Sequence, residues 1–433
     1  MTFKNCTIKL TCNESVYIGI LFMTFYTAPL FSYCPVRFSD IGGLILFYIG
    51  FKEKKNIPAS YFNIFFIAFG LWALIETFIV PLIFYDFSFK NHITQLIRLE
   101  LSILVYLYTF NLINAIGRNN IIDILKKVII THAVVQIIYV ILYYCNIRFI
   151  FNIIDNFDKR LSLIANNNLF FNHFVILNTE SGGPRFSGLF EEPAWYGWTI
   201  CILIAIVLQN DIFINNNNKN YCFKIKEWII IIVSFIFTFS LSAIAALGVI
   251  CTSYIMIKNK KHFFKALLFI ILICCVLLIY VFINPNILAR ILLISEGGDG
   301  STSSRFIGSW NALVTLLNTF PITGYGLGDF NSQLFFSYAF DNALEKGIKI
   351  GNIHLMEIHN LISQVICNLG IIGGILLLYS YFKLIKFKTL IIGIGFILVF
   401  FTVNVYNTFL FMAISGLAFN LFSNKRYNIT KEL

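Results

Sequence analysis

Four short runs in this 433-residue chain carry ionisable side chains that could do chemistry, and three of them set those side chains near glycine or proline, as expected where backbone must come close to a ligand. The first is Gly182-Gly183-Pro184-Arg185-Phe186-Ser187-Gly188-Leu189-Phe190-Glu191-Glu192-Pro193, directly ahead of an apolar stretch. Pro193 suits the first turn of a helix, where its missing N–H would have had no partner. Glu192 then sits at the positive end of that helix, which favours the ionised carboxylate. Arg185 supplies a guanidinium able to pair with two phosphate oxygens at once. The same residues also fit an Arg–Glu pair that closes a loop onto a helix.

The second run is Ser304-Arg305-Phe306-Ile307-Gly308-Ser309-Trp310. Phe306, Trp310, Leu313, Leu317 and Phe320 recur at helical spacing, which predicts an amphipathic helix lying in a membrane interface with Arg305 toward the headgroups. An aromatic anchor with a snorkelling arginine is the plainer alternative. Third comes Pro321-Ile322-Thr323-Gly324-Tyr325-Gly326-Leu327-Gly328-Asp329. Its alternating glycines suit either an anion-binding nest of N–H groups or a flexible turn. They lack the G-x-G-x-x-G spacing of a dinucleotide site. The fourth run, Glu357-Ile358-His359-Asn360, opens an apolar stretch. His359 has the ordinary pKa for proton transfer near neutral pH. His354 and Glu357 lack the H-E-x-x-H helix spacing, so no metal site is expected.

The elements that must position these runs are membrane helices. The chain is 58% hydrophobic and 17% aromatic, with 12% charged residues and a mean hydropathy of +0.80. A soluble domain carries about 25% charged residues. Apolar runs predict twelve spans, near 15–33, 38–51, 61–85, 96–116, 128–145, 193–209, 227–241, 243–257, 263–283, 357–382, 389–404 and 405–422. The polar start ahead of the first run predicts a retained span rather than a cleaved signal peptide. With both termini inside, 21 of the 32 Lys and Arg residues fall on the cytoplasmic side, whereas reading 227–257 or 389–422 as one helix spoils the sorting. The net charge of +11 therefore marks sidedness, not nucleic acid. Two outer loops are long, 146–192 and 284–356, and loops of that length usually carry function. Within the spans, Glu76, Arg98, Glu100 and His132 are costly unless paired, and a structural Arg98–Glu76 pair across spans three and four is expected. The ten cysteines have no paired spacing and read as small apolar packers.

In order and sidedness, these runs resemble the O-antigen polymerase and O-antigen ligase superfamily of polytopic membrane glycosyltransferases. The resemblance covers about 185–377. It rests on R-F-S-G-L-F-E-E-P, S-R-F-I-G-S-W, P-I-T-G-Y-G-L-G-D-F and H-N-L-I-S-Q-V-I-C-N-L-G-I-I-G-G. It implies an all-α, GT-C-like fold, with residues 1–433 forming one transmembrane glycosyltransferase domain. It implies undecaprenyl-diphosphate-linked oligosaccharides as substrates, held through Arg185, Arg305 and Arg290. His359 or Glu192 is the implied base, with Asn360, Gly324 and Gly326 supporting the site and no cofactor required. Glu191-Glu192-Pro193 stands where ligases of this superfamily tend to show an N-P-N-like run, and it looks more like the polymerases. A polymerase in the bacterial inner membrane, acting at the periplasmic face beside a chain-length regulator, is the expected reading. A ligase acting on lipid A–core and a lipid-glycan flippase are the alternatives.

Overall fold

The computed structural model describes residues 11–24, 29–31, 34–52, 60–83, 89–145, 147, 175–178, 183–186, 188, 190, 193–213, 222–238, 240–258, 309–327, 360–385, 389–402 and 408–423. Among them are twelve α-helices. They are α1 (Cys12–Thr24), α2 (Phe38–Lys52), α3 (Tyr61–Ile83), α4 (Phe89–Ile116), α5 (Arg118–Tyr144) and α6 (Pro193–Phe213). After these come α7 (Ile225–Ile236), α8 (Leu241–Lys258), α9 (Ser309–Thr319), α10 (Leu361–Leu384), α11 (Leu390–Thr402) and α12 (Phe409–Ser423). Two short antiparallel hairpins accompany them, β1 (Pro29–Phe31) with β2 (Cys34–Arg37) and β3 (Val175–Asn178) with β4 (Gly183–Phe186).

Helices dominate because backbone in lipid must satisfy its own hydrogen bonds. Five helices, α3, α4, α5, α6 and α10, are long and apolar enough to cross a bilayer. Together with the outward stripe Ile64, Leu71, Phe78 and Leu82 on α3, they mark a membrane-embedded protein. The α6 helix is apolar on every side and buried throughout, so it is the central one. It packs against α5, α8 and α11, while α4 pairs with α12, α10 with α3, and α1 with α2. Where α3, α4, α10, α11 and α12 meet, Tyr381 stacks among Phe66, Phe396, Phe400, Phe411 and Phe419. Its hydroxyl pairs with Ser415 Oγ at 2.7 Å, so the buried polar atom is satisfied.

The apolar runs set most helix boundaries correctly. The runs 227–257 and 389–422 each divide into two helices. The expected span 263–283 lies outside the described residues. The first expected span, 15–33, is corrected: α1 stops at Thr24 and a hairpin follows. Pro29 and Pro35 have no N–H for a helix ladder, and the remaining 13 residues reach only about 20 Å, short of a bilayer core of about 30 Å.

Basic side chains gather at one end of the bundle. Arg118 at the start of α5 donates from Nε to Asn210 Oδ1 near the end of α6, and its guanidinium lies over Phe213 and Phe422. Lys258 at the end of α8 pairs with Asp211, which also accepts from the Tyr254 hydroxyl at 2.6 Å. Lys126 donates to the Cys222 carbonyl at 3.1 Å and lies 4.0 Å from Glu227. The opposite end carries the starts of α6 and α10.

Candidate functional site

Asn360 caps α10 at that opposite end. Its Oδ1 accepts from the Ser363 N–H at 2.8 Å, as an N-cap should, and the side chain is buried. His359 precedes it in the chain but lies outside the described residues, as do Glu192, Arg290, Arg305, His354 and Glu357. Arg185 is described through its main chain, in β4 opposite Ile176.

The following residue, Phe186, fixes the chain that carries Arg185. Its ring is fully buried against Val140, Tyr139 and Tyr143 of α5 and against Phe237. Its N–H donates to the Phe237 carbonyl at 3.3 Å, and its carbonyl accepts from Gln136 Nε2 at 2.9 Å. Gly188 and Phe190 continue along the same helix, with Phe190 between His132 and Tyr196. Pro193 then opens α6, as its sequence position predicts. The described residues of this run, Phe186, Gly188, Phe190 and Pro193, thus lead from α5 into the start of α6.

The glycine run behaves differently from either sequence expectation. The α10 helix breaks at Gly370, whose φ of 67° and ψ of −174° lie outside the helical region. The turn 321–327 fits into that break. The N–H groups of Tyr325 and Gly326 donate to the Cys367 and Asn368 carbonyls at 2.8 and 3.1 Å, and the Ile371 N–H donates to the Pro321 carbonyl at 2.9 Å. Trp72 on α3 donates from Nε1 to the Leu369 carbonyl at 2.8 Å. Backbone groups freed by the break are thus satisfied inside the protein, the condition for non-helical backbone at membrane depth. With the Gly324 N–H given to the Phe320 carbonyl, the donors of Gly324, Tyr325 and Gly326 are already engaged. An anion nest built on those three N–H groups is therefore corrected, and the turn is docked rather than loose.

Glycine is required there for two reasons. Gly324 and Gly326 have φ of 75° and 96°, in the left-handed region. At Gly370 a Cβ would come within 1.8 Å of the Ile322 carbonyl oxygen. Seated this way, Tyr325 joins Val80, Ala312, Leu316 and Cys367 in a small buried cluster.

The α9 helix shows the expected apolar spacing: Trp310 and Leu317 face outward, while Leu313 and Phe320 pack on the buried cluster of Ala312 and Leu316. One further expectation changes. The partner of Glu76 is His92, with Oε2 and Nε2 3.3 Å apart, and no Arg98–Glu76 ion pair occurs among the described residues. The α4 helix begins seven residues before the expected span, which brings His92 onto it. His132, also expected to need a partner, finds one in the Thr24 hydroxyl at 2.5 Å.

Comparison with known families adds one match. Residues 228–378 match the family model described as O-antigen ligase. The match covers about a third of the chain and makes that segment similar to O-antigen ligases. The matched segment runs from α7 to the middle of α10 and includes Arg290, Arg305, Gly324, Gly326, His359 and Asn360. Arg185, Glu192, Glu76 and His92 lie before it. No curated protein matches the chain.

His92, Trp72 and Gly370 escaped the sequence reading. Only the unpaired cost of Glu76 hinted that α3 needed a polar neighbour there.

Proposed function

We propose that this protein is a surface-polysaccharide polymerase that moves a growing glycan from undecaprenyl diphosphate to a sugar hydroxyl of a second lipid-linked repeat unit. The observation that carries the reading is the family match across the segment holding Arg290, Arg305 and His359. In the reaction the anomeric C–O bond to the diphosphate breaks and a glycosidic bond to the acceptor oxygen forms. The acceptor proton passes to His359, with Glu192 as the rival base, a contribution of about 10²–10⁴-fold. The electron pair of the broken bond stays on the diphosphate. Arg185, Arg305 and Arg290 stabilise that growing negative charge more than they stabilise the bound substrate.

The site is proposed to face the periplasm from the inner membrane, at the Asn360 end of the bundle, with the basic end in the cytoplasm. The cluster of Arg118, Lys126 and Lys258 at the other end supports that sidedness. The description of the matching family as an O-antigen ligase favours a second reading, transfer of finished polymer to lipid A–core. The Glu191-Glu192-Pro193 run favours the polymerase.

Surface-glycan length on a gel, in a deletion strain complemented with wild type or His359→Ala, tests both. A polymerase predicts a ladder that collapses to one attached repeat unit in the variant. Loss of all attached glycan, with polymer accumulating on its lipid carrier, means ligase. An unchanged ladder in the deletion strain itself removes both. Near-normal polymer from both Arg185→Ala and Arg305→Ala, at matched expression, sinks the diphosphate role.

A further inference from the structure

One buried constellation has no part in the reading above. Glu76 and His92 are both fully buried, on α3 and α4. His92 Nε2 lies 3.3 Å from Glu76 Oε2 and 3.0 Å from Thr77 Oγ1. The Thr77 hydroxyl spends its own proton on the Ala73 carbonyl at 2.8 Å, so its oxygen accepts from His92. The other edge of the ring faces the glycine turn. A Cβ on Gly326 would stand 3.1 Å from Nδ1 and 3.2 Å from Cε1, so the turn closes against that edge. Trp72, Glu76 and Val80 follow one another at four-residue steps on α3, so one helix face touches the α10 break, the imidazole and the turn in succession.

We propose that Glu76 and His92 are a positioning pair for the Asn360-end site. Glu76 and Thr77 together fix the Nε2 edge of the imidazole, the other edge of the ring holds the 321–327 turn, and the turn, seated in the Gly370 break, sets where α10 presents Asn360. A carboxylate–imidazole pair serves here because it is rigid at both edges of the ring, and a buried acid otherwise carries a high cost in the membrane. The catalytic consequence rests on the glycosyl-transfer reading. The mechanical link between His92 and the turn does not.

Cys367 provides an independent readout, because it is fully buried under Tyr325. In the full-length protein in membranes, a permeant maleimide followed by peptide mass spectrometry reports whether the turn is seated. Turnover is read on lipid-linked glycan extracted from the deletion strain. His92→Ala is expected to raise Cys367 labelling about tenfold and to lower turnover about 10- to 100-fold, the scale of an ångström-sized misplacement. The apparent KM should move less than about threefold. His92→Asn keeps a polar atom near the Nδ1 position and should recover most of the turnover. Gly326→Ala crowds the same contact from the turn side and should also expose Cys367, so it replaces His92→Ala if that variant does not accumulate. Asp211→Asn, at the basic end, should leave Cys367 protected. Wild-type protection of Cys367 in both His92→Ala and Gly326→Ala overturns the proposal. So does unchanged turnover with Cys367 exposed, or exposure of Cys367 in Asp211→Asn. If wild type makes no glycan product, the function reading fails, and the labelling results alone still decide whether His92 holds the turn.

Discussion

The two ends of the bundle solve one problem, joining helix termini inside a membrane, by different means. At the basic end the joints are side chains: Asp211 with Lys258 and Tyr254, Arg118 with Asn210, and Gln209 accepting from the Ile391 N–H. At the Asn360 end the main joint is backbone, the 321–327 turn threaded into α10. A side-chain joint tolerates small shifts, because each long side chain can re-aim. A backbone joint does not, because every donor and acceptor is fixed by φ and ψ. The stiff joint stands at the end where the candidate site is proposed, and preorganised sites need that stiffness.

The largest expected effect therefore comes from the backbone joint. Gly370→Ala places a Cβ 1.8 Å from the Ile322 carbonyl oxygen at a residue with φ of 67°. Left-handed strain and overpacking each cost about 1–3 kcal/mol, so a loss of about 3 kcal/mol or more is expected. Thermal unfolding in detergent checks it, and a near-native midpoint would mean that the break is not locked. Next is Asp211→Ala, which leaves Lys258 beside Tyr254 without its carboxylate. Breaking a fully buried pair costs about 3–5 kcal/mol, and because the Lys258 side chain is 24% exposed a loss of about 2 kcal/mol is expected. Glycan length per folded molecule should not change. A shortened ladder at matched protein level would erase the contrast between the ends.

Asn360→Ala comes third. Losing this N-cap should cost about 1 kcal/mol. Chain growth should fall more than stability does, because the first turn of α10 then frays beside His359. Asn360→Asp keeps an acceptor for the Ser363 N–H and should restore stability. Equal growth from Asn360→Ala and wild type would separate the cap from the chemistry.

Most helix positions were legible in the sequence because most helices carry a long apolar run, and Pro193 marked the start of α6 to the residue. The joints were not. Nothing in Asn368-Leu369-Gly370-Ile371 separates a broken helix from a continuous one, since the groups that fill the break come from Pro321 to Gly326 and from Trp72. The polar neighbour of Glu76 was misassigned to Arg98 because hydropathy started α4 at 96, where the polar first turns holding His92 look like loop. On α9 the apolar spacing marked the helix but not its neighbours, since Leu313 and Phe320 pack on the Tyr325 cluster while Trp310 and Leu317 face outward. The four chemistry-bearing runs were recognisable by residue type. Their mutual placement depends on contacts between segments far apart in the chain, such as the one between His92 and Gly326.

The smallest effect is expected at Arg118, and it tests how forgiving a side-chain joint is. Its guanidinium centre lies 5.4 Å from the Phe213 ring centroid and 5.6 Å from that of Phe422 while Nε reaches Asn210. Arg118→Lys keeps the charge but loses the planar stack and the Nε donor. A partly exposed cation–π contact is worth about 0.5–1 kcal/mol, and a lysine ammonium can recover part of it by re-aiming its stem. A loss below about 1 kcal/mol in thermal unfolding is therefore expected, with an unchanged glycan ladder. A loss matching that of Gly370→Ala would show that the basic end is as rigid as the Asn360 end, and that stiffness is a property of the whole bundle rather than of its candidate site.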